Sequence, residues 1–320
     1  MTRTRVAWIV AVAVIVVLAA LPFLAEKFTV QFATRVLIMA IFAMSLNLLV
    51  GQAGLVSLGH AAFYGTGAYA LALLSPQYAA ANFWWSLPVC MLVAGALALV
   101  IGALVLRTGG IFFIMATLAF SQMLVFLLHD TSIAGGSDGM YINMRPDAAL
   151  FGWRPFDLEK FSHFYFVVLA LFVLAFGMLA RLRASMFGRV LEGIRLNEPR
   201  MRSLGFATFR HKLAAFAIAG MLAGLAGFLG AAQFGVVNPD MVGWHLSGAV
   251  LVMVLFGGMS THAGPVIGAA ALLLLELGLQ SLPATAGFDA GKHWQLTLGI
   301  VIVLVALWLP KGIVRVTRDA

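Results

Sequence analysis

Charge is what this chain has least of. Only 10% of its 320 residues are Asp, Glu, Lys or Arg. Ordinary globular chains carry roughly 25%, so these side chains cannot clothe a soluble surface. There is one cysteine, Cys90, set in an apolar run, which excludes an intrachain disulfide and any Cys-rich metal or redox motif. The phosphate-binding loop is missing too: Gly291-Lys292-His293 lacks the upstream glycine and the hydroxyl residue. No His-Glu-x-x-His, Gly-x-Ser-x-Gly or EF-hand pattern occurs, and no nucleophile–base pair lies inside an apolar stretch. The chain therefore reads as a non-enzyme with no cofactor of its own, and any work against a gradient must draw on nucleotide hydrolysed elsewhere. What is present is apolar mass: 62% hydrophobic residues, 25 Phe, 33 Gly and a mean hydropathy of +1.02. That composition predicts an all-α, polytopic integral membrane protein, 1–320 forming one unit without a soluble domain.

Runs near 20 apolar residues can cross a hydrocarbon layer of ~30 Å as helices. Ten are read, at 6–24, 31–50, 58–74, 85–106, 111–128, 161–181, 211–233, 245–259, 263–282 and 293–310. The third and eighth are short and adjoin Gly-rich stretches, which suits a broken or re-entrant element. Met1 to Leu24 reads as a retained first helix rather than a cleaved leader, its apolar run being long and lacking a small-x-small site before Glu26. Lys and Arg resist translocation, so their distribution sets orientation. With both termini cytoplasmic, 14 of the 20 basic residues fall inside, including eight between Arg181 and Lys212, while eight of the 12 acids fall outside. The net charge of +8 is thus a topological signal, not a nucleic-acid footprint.

Two connections are long: an outer loop at 129–160, containing Gly135-Gly136-Ser137-Asp138-Gly139, and a basic inner loop at 182–210. In the inner loop Met186, Val190 and Ile194 recur at i, i+4, i+8 with Leu191 alongside, and Arg189, Glu192 and Arg195 take the other side. Pro199 suits the first turn of a new helix capped by Asn197, and Gly205 suits a left-handed stop. Two short helices with a bend at 197–199 are expected at the cytoplasmic surface. The pattern fits a basic helix held by anionic membrane lipid or a helix entering a groove on a partner protein.

Within the apolar runs, Gly51, Gly54, Gly59, Gly65 and Gly67 are dense, and Gly in a helix costs about 0.8–1.0 kcal/mol relative to Ala. Two readings stand. Asn47, Gln52, Ser57 and His60 line an unwound translocation path or inner gate, or the glycines with Ala61 and Tyr69 allow close helix packing. Glu276 is the only acid inside a predicted span; it marks a polar path or gating contact, or sits toward the outer end bonded to a neighbouring helix. On 211–233, Gly220/Gly224 and Ala223/Gly227/Ala231 form two small-residue faces for tight packing. A faint echo links Ser57–Ala61 with Ser260–Ala263 as a candidate repeat.

The run Gly188-Arg189-Val190-Leu191-Glu192-Gly193-Ile194-Arg195-Leu196-Asn197-Glu198, continued through Ser203-Leu204-Gly205-Phe206 to Phe209-Arg210-His211-Lys212-Leu213, resembles the cytoplasmic loop of the branched-chain amino-acid ABC transporter permeases. Leu46-Asn47-Leu48-Leu49-Val50-Gly51-Gln52-Ala53-Gly54 through Ser57, His60 and Phe63, the 135–139 Gly cluster, Gly257-Gly258 and Gly264-Pro265-Val266-Ile267-Gly268 are similar to that family in order and spacing. Pro199 and Met201 depart from it, standing where small or acidic residues are expected. The length of the outer loop resembles the LivM-type subunit. The resemblance implies half of an importer for leucine, isoleucine or valine in a bacterial inner membrane. It implies a second permease, two ATPase subunits holding ATP–Mg and a periplasmic binding protein as partners. It also implies that Met186, Arg189, Val190, Glu192, Ile194, Arg195, Asn197 and Glu198 carry the ATPase coupling. Alternatives are a same-family permease for urea, short amides or other amino acids, and an ion-coupled secondary transporter centred on Glu276.

Overall fold

The computed structural model describes residues 3–76, 79–131, 134–149, 156–259, 261–281, 294–308 and 312–313. Arg154, Asp289, Lys292, Lys311, Arg315, Arg318 and Asp319 of the charge count lie outside the described residues, as do Ser260 of the candidate repeat and the Gly291-Lys292-His293 run. Among the described residues the helices are α1 Arg3–Leu24, α2 Lys27–Asn47, α3 Ala61–Leu74, α4 Phe83–Val105, α5 Ile111–Asp130, α6 Phe161–Ala184, α7 Met186–Leu196, α8 Glu198–Ser203, α9 Thr208–Phe234, α10 Trp244–Gly257, α11 Gly264–Gln280 and α12 Trp294–Trp308. Each of the ten apolar stretches carries one of these helices, and α7 and α8 make up the basic inner loop. Five helical stretches are long and apolar enough to cross a bilayer: Lys27–Ala53, Phe83–Val105, Ile111–Asp130, Phe161–Ala184 and Thr208–Phe234. α3, α10, α11 and α12 are shorter apolar helices, α3 and α10 having 14 residues each.

Burial sorts the helices into a centre and a periphery. The apolar window of α2 and its continuation is 94% buried, against 17% for α5. α2 is the post around which α6, α9, α10 and α11 stand. On α5 only Phe113, Thr117 and Ser121 are buried, one residue per turn, and Ile111, Phe112, Met115, Met123, Phe126 and Leu127 face outward. Such a helix is tolerable only beside lipid or another apolar surface.

The two small-residue faces of α9 meet two different neighbours inside this chain. Gly220 and Gly224 lie on Ala98 and Ala94 of α4, while Gly227 lies on the Tyr64 backbone of α3 and Gly67 of α3 lies on the Gly224 backbone. At each of these points a Cβ would strike a neighbouring atom, so the glycines set the distance between helices. Met140–Tyr141 and Val236–Val237 form a two-stranded antiparallel sheet, pairing Met140 with Val237. It ties the outer loop to the end of α9. Arg145 pins the same loop to α6: its guanidinium lies 4.9 and 4.7 Å from the Phe161 and Phe164 ring centres and donates to the Leu158 carbonyl at 3.1 Å.

Replacing Gly224 by leucine should overpack the α4–α9 seam, costing about 1–3 kcal/mol. The buried Cys90 thiol on α4 reports this directly. A maleimide fluorophore should label Gly224→Leu at a temperature several degrees below wild type, and an unchanged labelling temperature would contradict the packing described.

Candidate functional site

Local chemistry builds the inner loop as the sequence anticipates. Ser185 caps α7 by accepting from the Gly188 N–H at 3.4 Å. Asn197, in extended conformation, ends α7 and opens α8, its Oδ1 accepting from the Arg200 N–H at 3.0 Å. Pro199 sits in the first turn of α8, and Gly205 takes a φ of +86° beyond its end. The two helices fold against each other where Gly193 meets Met201: a Cβ on Gly193 would stand 2.8 Å from the Met201 sulfur.

The apolar stripe of α7 faces inward. Val190, Leu191 and Ile194 are buried against the chain's own body, each at most 4% exposed, so these side chains do not form the outer surface of the loop. Met186, placed by periodicity on the same stripe, is corrected: it is 66% exposed. As the first residue of α7 it hangs beyond the edge of the helices that cover Val190. The exposed residues of the two helices include Met186, Arg189, Glu192, Arg195, Leu196, Asn197, Arg200 and Leu204, with Leu196 80% and Leu204 64% exposed.

Glu198 does not belong to that face. Arg202 donates to its Oε1 at 2.7 Å, Lys212 donates to its Oε2 at 3.0 Å, and the Thr208 hydroxyl donates to Oε1 at 3.1 Å. Arg202 Nε donates in turn to Thr208 Oγ1 at 3.1 Å. Lys212 is buried, and a buried ammonium without a partner is costly. The cluster thus straps α8 to the foot of α9. Burial works to raise the Glu198 carboxyl, but the hydrogen bonds from Lys212 and Arg202 outweigh it and hold the group below the usual carboxylate range.

The other candidate region is the end of α2. After Asn47 the helix widens into a π-turn, Leu48–Ala53, and stops at Gly54, whose φ is +71°. The Leu55 N–H turns back to the Leu49 carbonyl at 2.9 Å, and residues 54–60 run irregularly to α3. Gly51 has no room for a side chain between Asn47 and the Met259 carbonyl. Asn47 Nδ2 donates to the Thr261 carbonyl at 3.3 Å, fixing the turn between α10 and α11 against α2. Arg195 joins the two sequence-predicted regions: its Nη1 donates to the Gly51 carbonyl.

Ser57 and His60 are fully buried, and their partners are internal. His60 Nε2 lies 2.8 Å from Ser45 Oγ, and its ring stacks on Phe42 at 5.4 Å. Ser57 accepts from the Gly59 N–H at 3.3 Å. Gly59 and Gly65 abut the Thr117 backbone and Val242. For Gly59, Gly65 and Gly67 the geometry is that of close packing. Asn47 Oδ1 and Gln52 Oε1 are buried acceptors without a hydrogen-bond partner among the described residues. Glu276 on α11 pairs with Arg35 on α2 at 3.6 Å and accepts from Gln280 Nε2 at 3.3 Å, which is the neighbouring-helix arrangement. Sequence reading missed Thr117, Ser247 and Thr261. Thr117 Oγ1 accepts from the Leu58 N–H at 3.2 Å, and Ser247 Oγ from the Ala61 N–H at 2.8 Å. A single hydroxyl in an apolar helix carries no spacing signal; only the need of an unwound segment for donors and acceptors would have pointed to such residues.

Residues 28–307 match the family described as "Branched-chain amino acid transport system / permease component". The chain is 36% identical over 328 residues to the high-affinity branched-chain amino acid transport system permease protein LivM of Escherichia coli K12, covering 96% of this chain and 75% of the relative. It is also 36% identical over 327 residues to LivM of Salmonella typhimurium LT2, covering 96% and 74%. The ribose import permease protein RbsC of Escherichia coli K12 is 27% identical over 229 residues, 68% of each chain. No solved structure matches the chain. The chain belongs to the branched-chain amino acid transport system permease family; it is a membrane permease component and not an enzyme.

Glu198→Gln should remove the strap, leave Lys212 without its counter-ion and cost about 1–2 kcal/mol. Because the folded-state carboxyl is held low, its contribution is present above the ordinary carboxylate range and lost as pH falls through the depressed value. Amide exchange across 198–212, corrected for intrinsic rates, should stay flat from neutral pH down to that range and quicken only below it. In Glu198→Gln it should be fast throughout; equal protection in the two proteins would refute the strap.

Proposed function

From that membership we propose that this chain forms, with a second permease subunit, the membrane pathway of an ATP-driven importer for leucine, isoleucine and valine. In this reading all ten apolar helices are part of the membrane unit and both termini lie on the cytoplasmic side of a bacterial inner membrane. A periplasmic substrate-binding protein delivers the amino acid to the outer face, near the 129–160 loop. Two ATPase subunits hold ATP–Mg, and this chain binds no nucleotide. The substrate class is supported by the LivM relatives, which cover nearly the whole chain.

One observation carries the coupling role. The 182–210 loop is anchored to its own body through Val190, Leu191, Ile194 and the Glu198 cluster, yet it exposes Met186, Leu196 and Leu204 among arginines. A helix held only by lipid would turn its apolar stripe to the bilayer and expose charge alone. Here a second, outward apolar set remains, which suits a groove on a partner. The pairing of Glu276 with Arg35 takes away the free mid-membrane carboxylate on which an ion-coupled mechanism would rest.

The assembled importer should lose leucine uptake more than tenfold when Met186 and Leu196 are both replaced by glutamate, because desolvating two charges in an apolar groove is costly. The ATPase should no longer co-purify with that variant, although the variant still reaches the membrane. Full co-purification would sink the docking role. For substrate class, unlabelled isoleucine and valine should compete with labelled leucine in wild-type vesicles while ribose should not. Competition by ribose would move the assignment toward the sugar permeases.

A further inference from the structure

We infer that Arg195 is a positioning residue: it caps the broken end of α2 from outside and so links the pose of α7 to the gate region at Gly51–Gly54. Where α2 stops, its last carbonyls have no further turn of helix to bond to. The N–H groups of Gly54 and Leu55 both turn to the Leu49 carbonyl. The Gly51 carbonyl instead accepts from the Arg195 guanidinium, a cation at a helix C-terminus, where the macrodipole favours it.

Three further observations support a dedicated contact. The Arg195 side chain lies across the turn, since a Cβ on Gly54 would meet its Cγ at 3.0 Å. At that residue the positive φ favours glycine, and a side chain would also crowd the arginine stem. Arg195 also forms no ion pair among the described residues; the nearest carboxylate in sequence on its C-terminal side, Glu198, is taken by Lys212 and Arg202. Finally, Gly51 is gripped from its other side by Met259, which with Thr261 belongs to the turn between α10 and α11. A tilt or slide of α7 therefore moves a guanidinium that is bonded to the unwound turn, and that turn presses on the junction of two further helices. Arg195, grouped by sequence with the ATPase-contacting residues, is an exposed residue of α7 whose guanidinium nevertheless turns to the Gly51 carbonyl, and it is assigned here to that contact.

This inference rests on the reading of α7 and α8 as the docking element, and the test separates the two. The complete importer, with its second permease, ATPases and binding protein, is reconstituted in liposomes with wild type, Arg195→Gln or Arg195→Lys. In Arg195→Gln the ATPase should still co-purify and hydrolyse ATP in response to leucine-loaded binding protein, while leucine imported per ATP falls about tenfold, the scale of a charge-assisted hydrogen bond. Amide exchange over 51–57 should quicken by a similar factor, and Arg195→Lys, which keeps one donor, should recover at least half of both losses. Wild-type exchange over 51–57, or an unchanged import-to-hydrolysis ratio, overturns the inference. Loss of ATPase co-purification in Arg195→Gln also overturns it, because Arg195 would then belong to the docking surface. If the wild-type importer moves no leucine, the functional reading fails, and the exchange measurement on the same membranes still decides whether the cap exists.

Discussion

A helix that unwinds inside hydrocarbon must find a partner for every backbone group it releases, and the architecture of this chain follows from how that demand is met at the end of α2. The released groups are taken up from many directions. Thr117 from α5 and Ser247 from α10 accept the N–H groups of Leu58 and Ala61, and Arg195 from α7 donates to Gly51. Three elements distant in sequence thus converge on one short irregular stretch. Most of the irregular backbone is sheltered by protein, with Gly54 alone exposed between 48 and 60, as such a stretch requires at membrane depth. α5 shows the constraint from its other side: nearly all of its surface faces outward, and of the few residues it buries, Thr117 serves the break and Ser121 donates to the Val242 carbonyl at 2.7 Å.

Close packing and ionic strapping divide the remaining work by depth. In the apolar interior, where charge is expensive, Gly67, Gly220, Gly224 and Gly227 bring α3, α4 and α9 together by removing side chains altogether. At the foot of α9, where side chains are exposed, the Glu198 carboxylate gathers Arg202, Lys212 and Thr208 and holds α8 to α9. The Arg35–Glu276 pair lies between these regimes, joining α2 to α11 while both side chains keep some exposure. That partial exposure makes an ion pair affordable within an apolar stretch.

What was legible in the sequence was local. Caps and turns act over three or four residues, so Asn197, Pro199 and Gly205 announced the bend between the two helices and the end of the second. Apolar runs announced the membrane helices for the same reason. Periodicity grouped Val190, Leu191 and Ile194 on one stripe but assigned it to lipid or a partner, whereas the chain's own body covers it; it misplaced Met186, because a repeat of 3.6 residues carries no knowledge of where the covering helices stop. The glycines of 51–67 were visible as a cluster, whereas their contacts were not: Thr117, Gly224, Val242 and Met259 lie tens to hundreds of residues away. Glu276 stood out as a lone acid, but its pairing with Arg35 depends on α2 and α11 being neighbours. The two-residue strands at 140–141 and 236–237 are too short to leave any pattern.

The seating of Val190, Leu191 and Ile194 beneath α7 has a consequence for assembly. Short peptides that recognise grooves usually become ordered only on arrival, and the lost disorder weakens the complex and slows its reversal to search. Here the loop of 11 and six helical residues is already shaped before any partner comes near, because its own apolar side was consumed during folding of the membrane unit. Under the docking role proposed above, a subunit meeting this face would encounter a rigid template, and its grip could be stiff without first having to create structure. A stiff joint transmits small displacements with little slack, whereas a loop ordered only on contact would absorb them as local melting.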